Sequence, residues 1–237
     1  MAKLYFRYGT VNSGKSMLLL SVAHNYISQN KKILIMKPQI DTRTGDTVYS
    51  RNGFNIKADF LINENSDIIS FVLKNIEEKI NKNIEENTNK NIDKNIDKNI
   101  EINEKDCEGK KDYQNKLNCI LVDEAQFLSD NNVLQLRFIT TYLDIPVITY
   151  GLRTTYKGTL FTGSQALFCY ADSIEEIKTT CTFCNKKAIL NLKVTHDKTS
   201  DESNNKATSS NDKNLVDLGF EDKYKSVCYL HYFSHVE

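Results

Sequence analysis

The sequence predicts an α/β fold, with a parallel-sheet domain built around a phosphate loop and a small C-terminal domain closed by zinc. Three observations predict it. Short apolar runs alternate with segments of helical periodicity, the pattern of strands and crossover helices. Gly9, four further residues and Gly14-Lys15-Ser16 give the spacing G-x-x-x-x-G-K-[ST] between the first run and the first helix. Two short pairs, Cys181/Cys184 and Cys228/His231, flank a long polar stretch near the end of the chain.

The elements follow in order. Lys3 to Tyr8 reads as a buried first strand that ends in Gly9. Ser16 to Ser28 reads as a helix with Leu18, Leu19, Val22, Ala23 and Tyr26 on one side. Lys31 to Lys37 is a second strand, stopped by Pro38, so the order is that of a right-handed crossover unit. From about 75 to 118 the composition shifts to a near-repeat of Asn, Lys, Ile and acids. That stretch lacks a broad apolar face, and the expectation is a mobile low-complexity insertion. Asn118 to Phe127 is a buried strand ending in two acids, Asp130 to Leu143 a helix, and Pro146 to Gly151 another buried strand. His196 to Asn214 reads as a second flexible loop.

Bulk composition narrows the function classes. The chain has 237 residues, with 31 basic and 31 acidic side chains in balance, which argues against a strong positive field for nucleic acid. No apolar stretch approaches the roughly 18 to 20 residues that span a bilayer. The first residues read as a strand and not as a signal peptide. Six cysteines without such a signal suggest reduced thiols or metal ligands, so the expected compartment is the cytoplasm, with no membrane and no nucleic-acid partner.

Each candidate residue has a chemical role. Backbone N–H groups around Asn12 to Lys15, with Gly9, Thr10, Val11, Ser13 and Gly14 shaping the loop, cradle phosphates at a helix N-terminus. Lys15 neutralises charge on the transferred group, and the Ser16 hydroxyl joins a Mg²⁺ shell. The metal needs a carboxylate at the end of a neighbouring strand, and "ILVDE" supplies Asp123; Glu124 beside it can accept the proton of an attacking hydroxyl or water. Cys181, Cys184, Cys228 and His231 form a closed, structural zinc set, with His235 as a fallback ligand. Cys107 is expected to be a loop thiol, and Cys119 and Cys169 core residues.

The phosphate loop, "VDEAQF", "YGLRTTYKGTLFTGS" and the C-x-x-C…C-x-x-H pair, in this order, resemble type II thymidine kinases, most of all the bacterial ones. The resemblance covers nearly the whole chain outside the two polar stretches. It implies transfer of the γ-phosphate of ATP to the 5′-hydroxyl of thymidine, with deoxyuridine a second candidate substrate. Glu124 would be the base; Asp123 would hold Mg²⁺; Arg43 and Gln126 would stand on the phosphate side, with Asp41 as the partner of Arg43. Leu152, Tyr156, Phe161, Gly219 and Tyr224 would line a nucleoside pocket under a lasso loop braced by zinc. It further implies a kinase domain over 1–173, a zinc-binding lasso domain over 174–237, a homotetramer and feedback inhibition by dTTP. Two departures stand out: Val11 where the family commonly has Met, and Asp217 and Phe220 in the lasso segment, where only Gly219 fits.

Two rivals fit less well. A helicase-like ATPase, suggested by "DEAQ", needs a second motor domain that this length cannot supply. A zinc ribbon that reads nucleic acid needs a basic, aromatic-interleaved surface that this sequence lacks.

Overall fold

A computed structural model describes residues 1–76, 117–194 and 223–235. Its centre is a six-stranded sheet in which every pairing is parallel. The strands in chain order are β1 (Leu4–Gly9), β2 (Lys32–Pro38), β5 (Phe60–Ile62), β6 (Leu117–Val122), β7 (Val147–Leu152) and β8 (Ser173–Glu176), with a separate antiparallel hairpin, β3 (Thr47–Tyr49) and β4 (Asn55–Lys57), between β2 and β5. In space the sheet runs β5-β2-β6-β7-β1-β8. The expected insertion at 75–118 and the loop at 196–214 lie outside the described residues, apart from helical residues 75–76 and the start of β6 at 117–118.

Alternation along the strands divides the core in two. Leu4, Phe6, Leu34, Met36, Ile120, Val122 and Val147 face one side, against helices α2 (Asp130–Tyr142) and α3 (Thr162–Tyr170). Ile35, Cys119, Leu121, Ile148 and Tyr150 face the other, against α1 (Lys15–Ser28) and the β3–β4 hairpin. This period of two, with both faces covered, is why these strands read as continuous apolar runs. On α1 the buried stripe is Leu19, Leu20 and Ala23, whereas Leu18 is exposed, one position off the sequence expectation. Cys119 is buried as expected, but Cys169 is exposed: α3 buries Gly163, Ser164, Ala166 and Leu167, which leaves Cys169 outside the stripe. Helix α2 starts with a reciprocal cap, Asn132 N donating to Ser129 Oγ at 3.2 Å and Ser129 N to Asn132 Oδ1 at 3.1 Å.

Two outcomes differ from the sequence reading at the sheet's carboxyl edge. The strand of the two acids ends at Val122; Asp123 and Glu124 follow it, and Ala125–Phe127 form a 3-10 turn. The strand is also not beside β1, because β7 lies between them. The acids therefore reach the phosphate loop across the end of β7, and space is made by glycine. A Cβ on Gly151 would sit 2.9 Å from Gln126 Oε1, and one on Gly163 would sit 2.5 Å from the Ala125 carbonyl.

A smaller antiparallel pair, β9 (Leu190–Lys193) and β10 (Tyr224–Val227), carries the C-terminal helix α4 (Tyr229–Phe233). Leu190, Leu192, Val194, Val227 and Tyr232 pack there with Cys181 and Cys228 into a separate small core. The edge strand β8 of the large sheet runs on to Glu176, past residue 173. No helix among the described residues is long and apolar enough to cross a membrane.

Candidate active site

The loop between β1 and α1 turns through left-handed backbone at Asn12 (φ 61°) and Gly14 (φ 83°). Such turns aim successive N–H groups into one concavity. Lys15 is buried and folds back over the loop, with Nζ donating to the Thr10 carbonyl at 2.7 Å. The Ser16 hydroxyl donates to Asp123 Oδ2 at 2.9 Å, joining the loop to the end of β6. Asp123 is buried, and its Oδ1 has no hydrogen-bond partner among the described residues. Burial first, then the adjacent Glu124 charge, pushes this carboxyl up to about 7 against the opposing pull of Ser16 and Lys15. A buried oxygen without a partner costs roughly 1–3 kcal/mol. An oxygen placed beside a serine hydroxyl at the foot of a phosphate loop suits a divalent cation, which would fill the empty lone pair and relieve the repulsion.

Glu124 sits in left-handed backbone (φ 49°), a strained conformation for a residue with a side chain. Its two oxygens are fixed by different donors: Arg43 Nη2 at 2.7 Å and Gln126 Nε2 at 2.5 Å. Arg43 Nε in turn pairs with Asp41 Oδ1 at 2.6 Å, and Asp41 Oδ2 with the buried Lys37 Nζ at 2.9 Å. The result is an alternating chain, Lys37–Asp41–Arg43–Glu124. Gln126 extends it, since its Oε1 accepts from Leu152 N at 2.9 Å.

Burial tends to raise Asp41, but the hydrogen bonds and charges of Arg43 and Lys37 outweigh it and hold the carboxyl below its ordinary value. A depressed folded value means stability that is present above the unfolded Asp value and lost as the pH falls towards the folded one. Asp41→Asn leaves Lys37 buried without its counter-charge, which is expected to cost roughly 3–5 kcal/mol at neutral pH. In thermal unfolding measured from pH 7 to 3, the gap between the variant and the wild type should narrow below about pH 4. A constant gap would show that Asp41 is not the titrating group.

Val11, Lys15, Arg43, Glu124, Leu152 and Tyr224 line a cleft of about 310 Å³. A recess of about 280 Å³, lined by Lys37, Asp41, Thr44 and Asp123, adjoins it, since both share Ser16, Arg43, Tyr49, Arg51 and Glu124. Lys15 and Arg43, expected on the phosphate side, thus share one cleft with Leu152 and Tyr224, expected on the nucleoside side. Tyr156 stands behind, its ring 6.2 Å from that of Tyr224. Phe161 is not in this cleft. It precedes α3, turns edge-on to Phe127 at 5.7 Å, and lines a different cavity of about 550 Å³. Gly219, Asp217 and Phe220 lie outside the described residues. Sequence reasoning missed Lys37, Tyr49 and Arg51. The last two sit at the tip of the β3–β4 hairpin, where Arg51 donates to Asn12 of the phosphate loop, and no local motif marks them.

The C-terminal module holds a second group. One ligand atom each from Cys181, Cys184, Cys228 and His231 lie within 4.8 Å of one another. Burial raises Cys181, yet backbone N–H groups outweigh it and bring the thiol down to about 6. Cys228 is also lowered, led by a backbone hydrogen bond from His231. Thiolates so placed repel each other, and a central cation satisfies all of them. The set of three sulfurs and one imidazole has the chemistry of a metal site. His235 is not part of it; its ring stacks on Phe183 at 5.2 Å and its Nδ1 lies 2.7 Å from the His231 carbonyl.

Comparisons with known proteins agree with this layout. The family model described as thymidine kinase matches residues 2–82 and 71–232. A thymidine kinase of Lactobacillus johnsonii is 36% identical over 98% of this chain and 97% of its own length, and one of Lactobacillus acidophilus matches equally. A thymidine kinase of Streptococcus pyogenes serotype M1 is 35% identical over 99% of this chain and 98% of its own. Matches of this extent, over a sheet that carries a phosphate loop and its acids together, mean that the chain belongs to the thymidine kinase family.

Proposed function

We propose that this protein is an ATP-dependent thymidine kinase of nucleotide salvage, transferring the γ-phosphate of ATP to the 5′-hydroxyl of thymidine to give dTMP. The observation that carries the reading is the cleft itself. Glu124 lines one cleft together with Gly14, Lys15 and Ser16 of the phosphate loop and with Leu152 and Tyr224. A nucleoside lodged against Leu152 and Tyr224 brings its hydroxyl to the carboxylate, and a triphosphate in the loop brings its terminal phosphorus to the same point.

Residue roles follow from that placement. Arg43 and Gln126 fix the plane of the Glu124 carboxylate while each oxygen keeps a lone pair for a substrate hydroxyl. Glu124 accepts the 5′-hydroxyl proton as the oxygen attacks phosphorus in line. Lys15 stabilises charge on the transferred group. Mg²⁺, when bound with ATP, neutralises charge on the phosphate oxygens, and Ser16 and Asp123 would hold it. Cys181, Cys184, Cys228 and His231 would hold a structural Zn²⁺, since three thiolates and one imidazole suit that ion. We assign the chain to the cytoplasm, as a homotetramer inhibited by dTTP, with a kinase domain and a C-terminal zinc-binding lasso domain. Subunit mass in solution and inhibition by added dTTP test these assignments.

The reaction is tested by transfer of labelled phosphate from ATP and Mg²⁺ to thymidine, deoxyuridine, deoxycytidine and deoxyadenosine. Thymidine should be the preferred acceptor. Transfer to none of the four, with ATP still bound, would sink the reading.

A further inference from the structure

The phosphate loop is held at Val11 by two side chains from a different sheet. Val11 N donates to Asn191 Oδ1 at 2.9 Å, and the Val11 carbonyl accepts from the Ser226 hydroxyl. Asn191 and Ser226 are cross-strand partners on β9 and β10, both are buried, and together they treat Val11 as a strand would, taking its N–H and its C=O at once. Asn191 also donates from Nδ2 to the Thr154 carbonyl at 2.9 Å, beyond the end of β7. Two segments, the phosphate loop and the chain just beyond β7, thus meet on this one pair.

The strand pair has two unlike faces. Leu190, Leu192 and Val227 point into the small core beside the metal-ligating group. Asn191 and Ser226, with Lys193 and Tyr224 two residues along, point the other way. Tyr224 lines the cleft. Any shift of β10 that follows from what Tyr224 contacts is therefore delivered to Val11, and so to the loop N–H groups that come after it.

We propose that Asn191 and Ser226 are positioning residues that tie the phosphate loop to the nucleoside side of the cleft, so that ATP and thymidine bind with positive coupling. This rests on the kinase reading above. Coupling of this kind is reciprocal, each ligand tightening the other by the same factor.

The test is calorimetric titration of thymidine and of a non-hydrolysable ATP analogue with Mg²⁺, each alone and each in the presence of the other. In the wild type each ligand should strengthen the other by about fivefold or more. Ser226→Ala and Asn191→Ala should bring that factor close to one, with thymidine affinity alone and metal content largely unchanged. Ser226→Thr, which keeps the hydroxyl, should retain the coupling. A wild type in which the ligands bind independently would overturn the proposal, and so would coupling that persists in both alanine variants. A wild type that binds no thymidine at all would instead overturn the kinase reading.

Discussion

Glu124→Gln is expected to lower phosphate transfer to thymidine by roughly 10²- to 10⁴-fold, the usual loss for a general base. The substitution keeps the shape of the side chain and removes only the ability to take a proton. It also alters the local pairing. The carboxylate accepts from both Arg43 and Gln126, whereas an amide offers one oxygen and one NH₂, so one of those donors must face another donor. A modest fall in melting temperature should accompany the loss of turnover. Binding of ATP should be nearly intact, because Glu124 is not among the groups of the phosphate loop. Turnover and ATP affinity measured side by side check this. A variant that turns over at the wild-type rate would move the base to another residue.

The second large effect is expected from the metal-ligating group. The core beside it consists of Leu190, Leu192, Val194, Val227 and Tyr232 around the ligating thiols. So few apolar side chains cannot hold a fold without a cross-link. A structural metal supplies that cross-link, and its binding energy is folding energy. Freshly purified protein should contain about one zinc per chain. Cys181→Ser, or stripping with a strong chelator, should unfold β9, β10 and α4 while the six-stranded sheet persists. Tyr224 would be lost from the cleft with them, so transfer to thymidine should fall to a small fraction of wild type. Metal analysis and a two-step thermal transition measure this. Metal-free protein with full activity would exclude a structural role.

Much of this arrangement was legible in the sequence where function is written locally. The phosphate loop, the acid pair after an apolar run and the two cysteine knuckles are short spacings with a chemical reason behind each. What was not legible depends on pairings far apart in the chain. Asn191 is a single polar residue in an apolar strand, and its meaning comes from Val11, 180 positions away. Lys37 reads as the end of a strand, yet it is buried because Asp41 and the hairpin cover it. Leu152 and Phe161 belong to one stretch of motif, but the chain turns between them and sends them to different cavities. The position of β7 between β6 and β1 was likewise hidden, since strand order is not a local property.

That strand order sets a constraint on how the protein can be made. Among the described strands β1 pairs with β7 and β8, and its contact with β7 spans 143 residues, as between Arg7 and Tyr150. At the ribosome's pace a strand emerging with the phosphate loop waits on the order of 7 to 30 seconds before its first neighbour exists. During that interval β2, α1 and β6 can collapse together, but the loop has no sheet to stand on. The catalytic centre is thus closed by late, long-range contacts, which fold slowly. A nascent chain stalled before β8 would leave one edge of β1 unpaired, and an unpaired edge is a template for aggregation.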